Sequence, residues 1–221
     1  MSVPDRPAVA AIRPARETDA PFLAWVQQEA ARSHVERGFW DLAFPGPDAS
    51  RLDLIAGIVR SEPACFCHWS RFLVAEIDGA PAAALSGYEP SRHGGEAFVE
   101  ALSTTLRRAG WTGAEREALY LRTAPFMTCL PETPEDVWVV EWVATRPERR
   151  GQGLVKQLLP PILERGRGEG YLRAQIAVLI GNDPAQKAYE GAGFAFADER
   201  RHPDFERAFG SPGIRRLLRA L

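Results

Sequence analysis

The sequence predicts an α/β (α+β) fold in which a mixed central sheet is flanked by helices. Val137–Thr145 is rich in β-branched and aromatic residues, and the glycine-rich turn that follows it opens a helix. Gln175–Leu179 repeats the same strand–turn–helix order. Arg71–Tyr88 places Asp78-Gly79 between two apolar runs, which is a strong signal for a β-hairpin.

The elements at the two ends of the chain follow from spacing and capping residues. Residues 1–8 are predicted to be a loose tail and Val9–Arg13 the first strand. Asp19 and Asp48 can each cap a helix with apolar residues at helical spacing. After Phe194 the pattern predicts one or two strands and a short helix. The apolar positions in these segments are Phe22, Leu23, Val26, Ala30, Leu52, Ile55, Ile58, Val59, Ile214, Leu217, Leu218 and Leu221.

A helical insertion is predicted between the third and fourth strands, within a single domain spanning residues 1–221. Residues 91–136 contain two helix-like segments, Glu96–Arg108 and Ala114–Arg122, and end in the acidic, proline-broken segment 131–136. Further along, Pro160-Pro161 falls inside the helix that follows the glycine-rich turn, so a kink or break is expected near Lys156–Leu159.

Composition is that of a globular protein, with 45% hydrophobic and 25% charged residues among 221. The net charge of −2 gives no indication of a nucleic-acid partner. The charge is uneven, because Val137–Leu221 carries 14 Lys and Arg against 10 Asp and Glu, whereas residues 1–136 carry 13 against 19. That asymmetry fits a polyanionic ligand in the C-terminal half, and it fits a random spread of surface charge equally well.

Three cysteines are too few for a disulfide framework. Cys65 and Cys67, followed by His68, form half of a metal-site pattern without a second half, so no metal is predicted. The N-terminus carries Pro4 and Pro7 where a signal peptide would be apolar. No segment approaches the roughly 20 apolar residues of a membrane span. These observations predict a cytoplasmic protein with no membrane or nucleic-acid contact.

The turn after Val137–Thr145 has the features of an anion-binding site. It reads Arg149-Arg150-Gly151-Gln152-Gly153 and leads directly into a helix. Free backbone N–H groups and the helix dipole favour a phosphate there, and glycines let it approach closely. The P-loop pattern GxxxxGK[ST] is absent, and the dinucleotide pattern fails because Lys156 stands where its third glycine should be.

Two motifs in this region carry a resemblance to a known family. Arg150-Gly-Gln-Gly153-Leu-Val155 resembles the Q/R-x-x-G-x-G/A loop of the GCN5-related N-acetyltransferase (GNAT) superfamily, with Val155 departing from the usual Gly or Ala. The second signature, N-x-x-A-x-x-x-Y-x-x-x-G-F, is matched by Asn182, Ala185, Tyr189, Gly193 and Phe194. The resemblance covers roughly Val137–Phe194.

The resemblance implies the GNAT fold and an acetyl-CoA-dependent N-acetyltransferase that moves an acetyl group directly to a small primary amine in a ternary complex. Glu141 would be the general base, directly or through water, and Tyr189 the general acid. The insertion is longer than the short connection of a simple GNAT domain; we interpret it as a cover over the sheet face near the acceptor site, with structural padding as the alternative. The protein would be a monomer or homodimer. The residues that it implies for acetyl-CoA binding are Trp142, Val143, Ala144, Arg149, Arg150, Gly151, Gln152, Gly153, Leu154, Val155, Asn182, Ala185 and Tyr189.

Several alternatives stay open at this point. The acceptor could be a protein lysine or N-terminus, or the domain could bind acyl-CoA as a sensor without turnover. Glu141 could face solvent or pair with an arginine, Tyr189 could serve only in packing, and Asn182 could be a helix cap. If Glu141 is the base, Glu141→Gln is expected to lower kcat chiefly at low pH, where the amine most needs help in losing its proton.

Overall fold

The computed structural model describes residues 10–221, so the predicted tail and Val9 lie outside the described residues. Seven strands form one sheet in the order β1-β2-β3-β4-β5-β7-β6. Strands β4 and β5 pair in parallel, and the other neighbours pair antiparallel. The strands are β1 (Ala11–Pro14), β2 (Phe72–Ile77), β3 (Ala80–Tyr88), β4 (Val137–Thr145), β5 (Arg173–Leu179), β6 (Ala195–Arg201) and β7 (Gly213–Ala220).

Helices cover both faces of the sheet. The described helices are α1 (Ala20–Arg32), α2 (Phe39–Ala43), α3 (Asp48–Val59), α4 (Pro90–His93), α5 (Gly95–Arg108), α6 (Gly113–Met127), α7 (Leu154–Gly168), α8 (Asp183–Glu190) and α9 (Pro203–Phe209). Helices α1, α2, α3, α5 and α6 share one apolar core with Val74 and Ala84 of the sheet. Helices α7 and α8 pack on the opposite face against Leu73, Leu85 and Val140. The predicted mixed sheet flanked by helices is confirmed.

The parallel pairing of β4 and β5 ends halfway along both strands. Their register runs from Val137, which faces Arg173, to Val140, which faces Ile176. Beyond that point the second half of β4 has β3 as its partner, and β5 continues with β7. The two strands therefore diverge and leave a cleft between their C-terminal halves.

The hairpin, the helical insertion and the strand–helix–strand order of the C-terminus are confirmed, with small differences at the boundaries. The N-terminal caps differ from the prediction. Pro47, not Asp48, occupies the N-cap position of α3, since the helix already begins at Asp48. Asp19 occupies the N-cap position of α1, but its carboxylate pairs with Arg13 at 2.7 Å instead of bonding to the helix amides.

A break near Lys156–Leu159, one of the two outcomes expected from Pro160-Pro161, is wrong, because α7 continues from Leu154 to Gly168. Both prolines are exposed, so water can solvate the carbonyl groups that lose their amide donors. On the opposite side of the helix, Leu158, Leu159, Ile162 and Leu163 are buried against the sheet. Packing of this apolar face holds the helix together where local propensity would end it.

Candidate functional site

A cavity of about 1650 Å³ occupies the cleft between β4 and β5 and extends beneath the insertion helices. Its two ends differ in construction. The α7 end is lined by Arg150, Val155, Asn182 and Ala185. The insertion end is lined by Phe66, Tyr88, Phe98 and Phe126, from four separate segments. Glu141–Thr145 of β4 runs along the wall between them.

A β-bulge in β4 sets the direction of the side chains in this wall. Ala84 and Ser86 of β3 are two positions apart, but their partners in β4, Ala144 and Glu141, are three positions apart. Strand β4 therefore has one extra residue at this point, which forms the bulge. Trp142 lies within the bulge and has φ of +52°, a conformation that costs a bulky residue on the order of 1–3 kcal/mol. Val140 and Val143 both pack toward α7, whereas strict alternation would place them on opposite faces. Trp142 packs instead toward α1.

Glu141 is a half-buried carboxylate in an apolar strand, and its side chain borders the cavity. Burial penalises its charged form and raises the pKa of Glu141 to about 7. The hydroxyl of Tyr88 interacts with the carboxylate and offsets part of that rise. Both protonation states of Glu141 are therefore populated near neutral pH, which is the property a general base needs.

Tyr189 lines the same cavity from α8 and is only 6% exposed. Burial raises the pKa of its phenol above the ordinary value of 10, so the hydroxyl keeps its proton throughout the physiological range. A protonated hydroxyl in a cavity can donate a proton or a hydrogen bond to a group that becomes negative. Glu141 and Tyr189, 48 positions apart in sequence, thus face one cavity from β4 and α8.

The N-terminus of α7 presents a row of free amides. Among residues 10–221, the N–H groups of residues 151–156 have no backbone acceptor, since α7 begins at Leu154. Gly151 and Gly153 have φ of +78° and +72°, which an L side chain adopts only with strain. The two glycines thus permit the loop conformation that exposes these amides. The α7 dipole adds partial positive charge, so the loop is suited to a phosphate or pyrophosphate.

The two arginines of this loop point in different directions. Arg150 is 62% exposed, lines the cavity and lies 3.7 Å from Glu29 of α1. Arg149 is directed toward the β2–β3 turn, with its guanidinium 3.5 Å from Asp78, and does not line the cavity. Only Arg150 is therefore placed to contact an anion inside the cleft.

Asn182 serves as the N-cap of α8. Its Oδ1 accepts a hydrogen bond from the Ala185 amide at 3.2 Å, and its Nδ2 donates to Ser33 Oγ at 2.6 Å. The second bond joins α8 to the end of α1 across the cleft. The side chain that the motif assigns to ligand binding is thus also a structural cap.

The structure brings most of the predicted site residues together. Nine of them line the cavity, and these are Glu141, Trp142, Val143, Ala144, Arg150, Val155, Asn182, Ala185 and Tyr189. Arg149, Gly151, Gln152, Gly153 and Leu154 are not among the lining residues, and Leu154 is buried in the core. The last four residues can contribute through their backbone amides.

The cysteines lie away from the lining. Cys65, Cys67 and Cys129 are free, fully buried and outside the cavity wall. Burial raises the pKa of the Cys67 thiol. Within residues 10–221, no cluster of three or more His, Cys, Asp or Glu could hold a metal ion. In the same range, none of the helices has the length and apolarity needed to cross a membrane.

Sequence reasoning missed Tyr88 and the aromatic residues of the insertion end. Tyr88 is the last residue of β3, and its phenol is 3% exposed beside Glu141. The buried position and the neighbouring carboxylate raise the pKa of Tyr88. No sequence motif marks it. A pairing of the hairpin with β4 would have placed it near Glu141, but the bulge that fixes the register cannot be seen in the sequence.

Comparison with known proteins agrees with this architecture. Residues 119–194 match the model of the acetyltransferase (GNAT) family. A search of curated proteins gave no match. A crystal structure of an acetyltransferase is similar over 95% of this chain and 98% of its own, with a TM-score of 0.70 and 19% identity.

Two further structures extend the comparison. An N-acetyltransferase from Staphylococcus aureus Mu50 has a TM-score of 0.65 and 20% identity over 95% of this chain and all of its own. The Drosophila melanogaster polyamine N-acetyltransferase, which forms N-acetylagmatine, has a TM-score of 0.54 and 13% identity, with coverage of 96% and 100%. The predicted GNAT fold is confirmed, and the match of residues 119–194 to the GNAT acetyltransferase family agrees with the predicted acyltransferase class.

Proposed function

We propose that this protein transfers an acetyl group from acetyl-CoA directly to the primary amine of a small molecule, within a ternary complex. The observation that carries the proposal is the placement of Glu141 and Tyr189 on one cavity, where burial gives the carboxylate a pKa of about 7 and keeps the phenol protonated. The polyamine acetyltransferase among the similar structures supports a small amine as acceptor.

The α7 end would hold the cosubstrate. Free amides at residues 151–156 and the guanidinium of Arg150 suit the pyrophosphate. The second half of β4, Glu141–Thr145, pairs with β3 but no longer with β5, so its free edge would offer backbone groups to the rest of the cosubstrate. This arrangement directs the thioester along β4 toward Glu141.

The chemistry requires two proton transfers. The amine nitrogen attacks the thioester carbonyl carbon, a C–N bond forms, and Glu141 accepts the proton that the nitrogen loses. The C–S bond then breaks, and Tyr189 donates its proton to the departing sulfur. General acid and base catalysis each contribute a factor of about 10²–10⁴, and holding the two substrates together contributes more.

The raised pKa changes the pH dependence that the sequence led us to expect. Below pH 7 most Glu141 is protonated and cannot serve as a base. A primary amine with a pKa of about 10 stays largely protonated until well above neutrality. The help from Glu141 is therefore greatest between about pH 7 and 10, not at the lowest pH values.

Direct transfer is supported by the positions of the cysteines. Each of the three is buried outside the cavity lining, so none is placed to form an acyl-enzyme in this arrangement. The insertion, residues 91–136, walls the acceptor side of the cavity in this proposal. Cytoplasmic location and a monomeric or homodimeric state stay predictions.

Initial-rate kinetics with both substrates varied test the proposal. A ternary complex gives intersecting lines, and Tyr189→Phe should lower kcat with little change in acetyl-CoA affinity measured by calorimetry. Parallel lines, or an acyl-cysteine identified by mass spectrometry, would contradict direct transfer. If acetyl-CoA binds and no amine or peptide is acetylated, the sensor alternative is the better description.

A further inference from the structure

We infer that the acceptor is a monoamine with an aromatic or similarly bulky apolar body, and not a polycation. The inference rests on the proposed function, because it assigns the insertion end of the cavity to the acceptor. Three observations carry it: the aromatic lining of that end, the shortage of charge inside it, and the apolar residues at its mouth.

The insertion end is an aromatic chamber built around Phe66. Its ring lies 4.9 Å from that of Phe98, 5.3 Å from that of Tyr88 and 6.2 Å from that of Trp142, measured between ring centroids. Phe126 of α6 lines the cavity as well. Aromatic faces provide large apolar contact area and also attract an ammonium group at their π surfaces.

Among the carboxylates of residues 10–221 that line this end of the cavity, Glu141 is the one that is not exposed. Glu141 is half-buried, whereas Arg92, Glu96, Glu100 and Glu135 of the lining are exposed. Glu29, which is also half-buried, pairs with Arg150 at the α7 end. One carboxylate can neutralise one ammonium group, and a second cation in the same apolar space would pay a large desolvation cost without a partner.

The mouth of the insertion end carries exposed apolar side chains beside the exposed charges of the lining. Val99 is 50% exposed, Tyr120 49% and Met127 61%, and all three line the cavity. Together with the aromatic chamber they add apolar surface to the cavity that Glu141 borders. Ligand sites of this kind bind a mostly apolar molecule and orient it by a few polar groups. Here the carboxylate would orient the amine, and the aromatic rings would hold the body.

Equilibrium binding in the presence of saturating coenzyme A tests the inference apart from catalysis. By calorimetry, 2-phenylethylamine should bind at least about ten-fold more tightly than agmatine or spermidine. Tighter or equal binding of the polycations would overturn the inference, and so would the failure of 2-phenylethylamine to bind.

A matched pair of variants tests whether the preference for an aromatic amine arises at the mouth of the insertion end. Val99→Glu adds a carboxylate at the mouth and should weaken 2-phenylethylamine binding several-fold while strengthening agmatine binding. Leu121→Glu adds the same charge at a position that is 71% exposed on α6 and outside the lining, and it should change neither. Equal effects of the two variants would contradict the assignment, and thermal unfolding of both shows that the fold is kept.

Acetyl transfer is measured separately, so that the two proposals can fail independently. If 2-phenylethylamine binds and no amine is acetylated, the proposed function is wrong and the inference about the ligand stands. If agmatine is both bound and acetylated in preference to 2-phenylethylamine, the proposed function stands and the inference is wrong.

Discussion

The two ends of the cavity are made in different ways. The α7 end consists of backbone amides, two glycines and one arginine from the loop after β4 and the first turn of α7, together with the start of α8. The insertion end consists of side chains from segments around positions 66, 88, 98 and 126. A phosphate site needs a local backbone shape, whereas an apolar chamber needs only packed surfaces from any source. We therefore expect variants at the two ends to affect different substrates.

The largest expected effect is at Glu141, where the two ends meet. Above pH 7, Glu141→Gln should lower kcat/KM for the amine by roughly 10²–10⁴, the usual contribution of a general base. Below pH 7 the difference should shrink, because the wild-type carboxyl is protonated there. Rate profiles from pH 6 to 10 check this. A loss that is constant over the range would argue that Glu141 is structural.

Stability measurements provide the control for this variant. Because the pKa of Glu141 is raised from 4.5 to about 7 in the folded state, the native protein binds the proton more tightly than the unfolded chain. Stability is therefore lost as the pH rises from about 4.5 to 7. Glutamine does not ionise, so Glu141→Gln should not lose this stability. At pH 8 its free energy of unfolding should exceed that of the wild type by on the order of 3 kcal/mol. Lost activity in a stabilised protein cannot come from unfolding.

The α7 end can be separated from the insertion end with arginine variants. Arg150→Glu should weaken acetyl-CoA binding by on the order of 1–3 kcal/mol, because a charge-assisted contact is lost. Arg149→Glu is the matched control and should have a much smaller effect, since Arg149 is directed toward Asp78. Calorimetry with acetyl-CoA gives both values. Equal losses would show that the loop acts only through its net charge.

The contrast also explains what could be predicted from sequence. The strand, turn and helix around Val137–Val155 were predictable because each depends on neighbouring residues: β-branched runs, glycines with positive φ, and a helix start. The hairpin was predictable from Asp78-Gly79 for the same reason. Glu141 could be singled out because a carboxylate interrupts an apolar strand.

The remaining features depend on tertiary structure. Pro160-Pro161 would end an isolated helix, but burial of its opposite face against the sheet keeps α7 intact. The bulge at Trp142 has no local signature, because its positive φ is imposed by the register between β3 and β4. Tyr88 and Phe98 both contact Phe66, and Tyr88 contacts Glu141, only after the sheet and the insertion have formed.

Tyr88 contacts both Glu141, which could be predicted from sequence, and Phe66 of the aromatic chamber, which could not. Its hydroxyl stabilises the charged form of Glu141 and so lowers that pKa. Tyr88→Phe removes this interaction, so the acidic limb of the kcat/KM profile should move to higher pH. The rate near pH 7 should fall several-fold, and the rate at pH 9 should change little. Tyr171→Phe, which alters a tyrosine outside the cavity lining, should leave the profile in place.

The smallest expected effect concerns the acidic segment 131–136, whose carboxylates are indistinguishable in sequence. The structure separates two of them: Glu132 pairs with Arg200 at 2.8 Å and is absent from the cavity lining, whereas Glu135 is exposed and lines the cavity. An exposed charge at the mouth attracts a cationic amine only weakly. Glu135→Gln should therefore raise the KM for the amine about two- to three-fold at low ionic strength, with acetyl-CoA affinity unchanged. Glu132→Gln should change neither.

The effect of Glu135 should vanish at about 1 M salt, where the screening length is near 3 Å. An effect that survives at that salt concentration would mean that Glu135 contacts the bound amine directly.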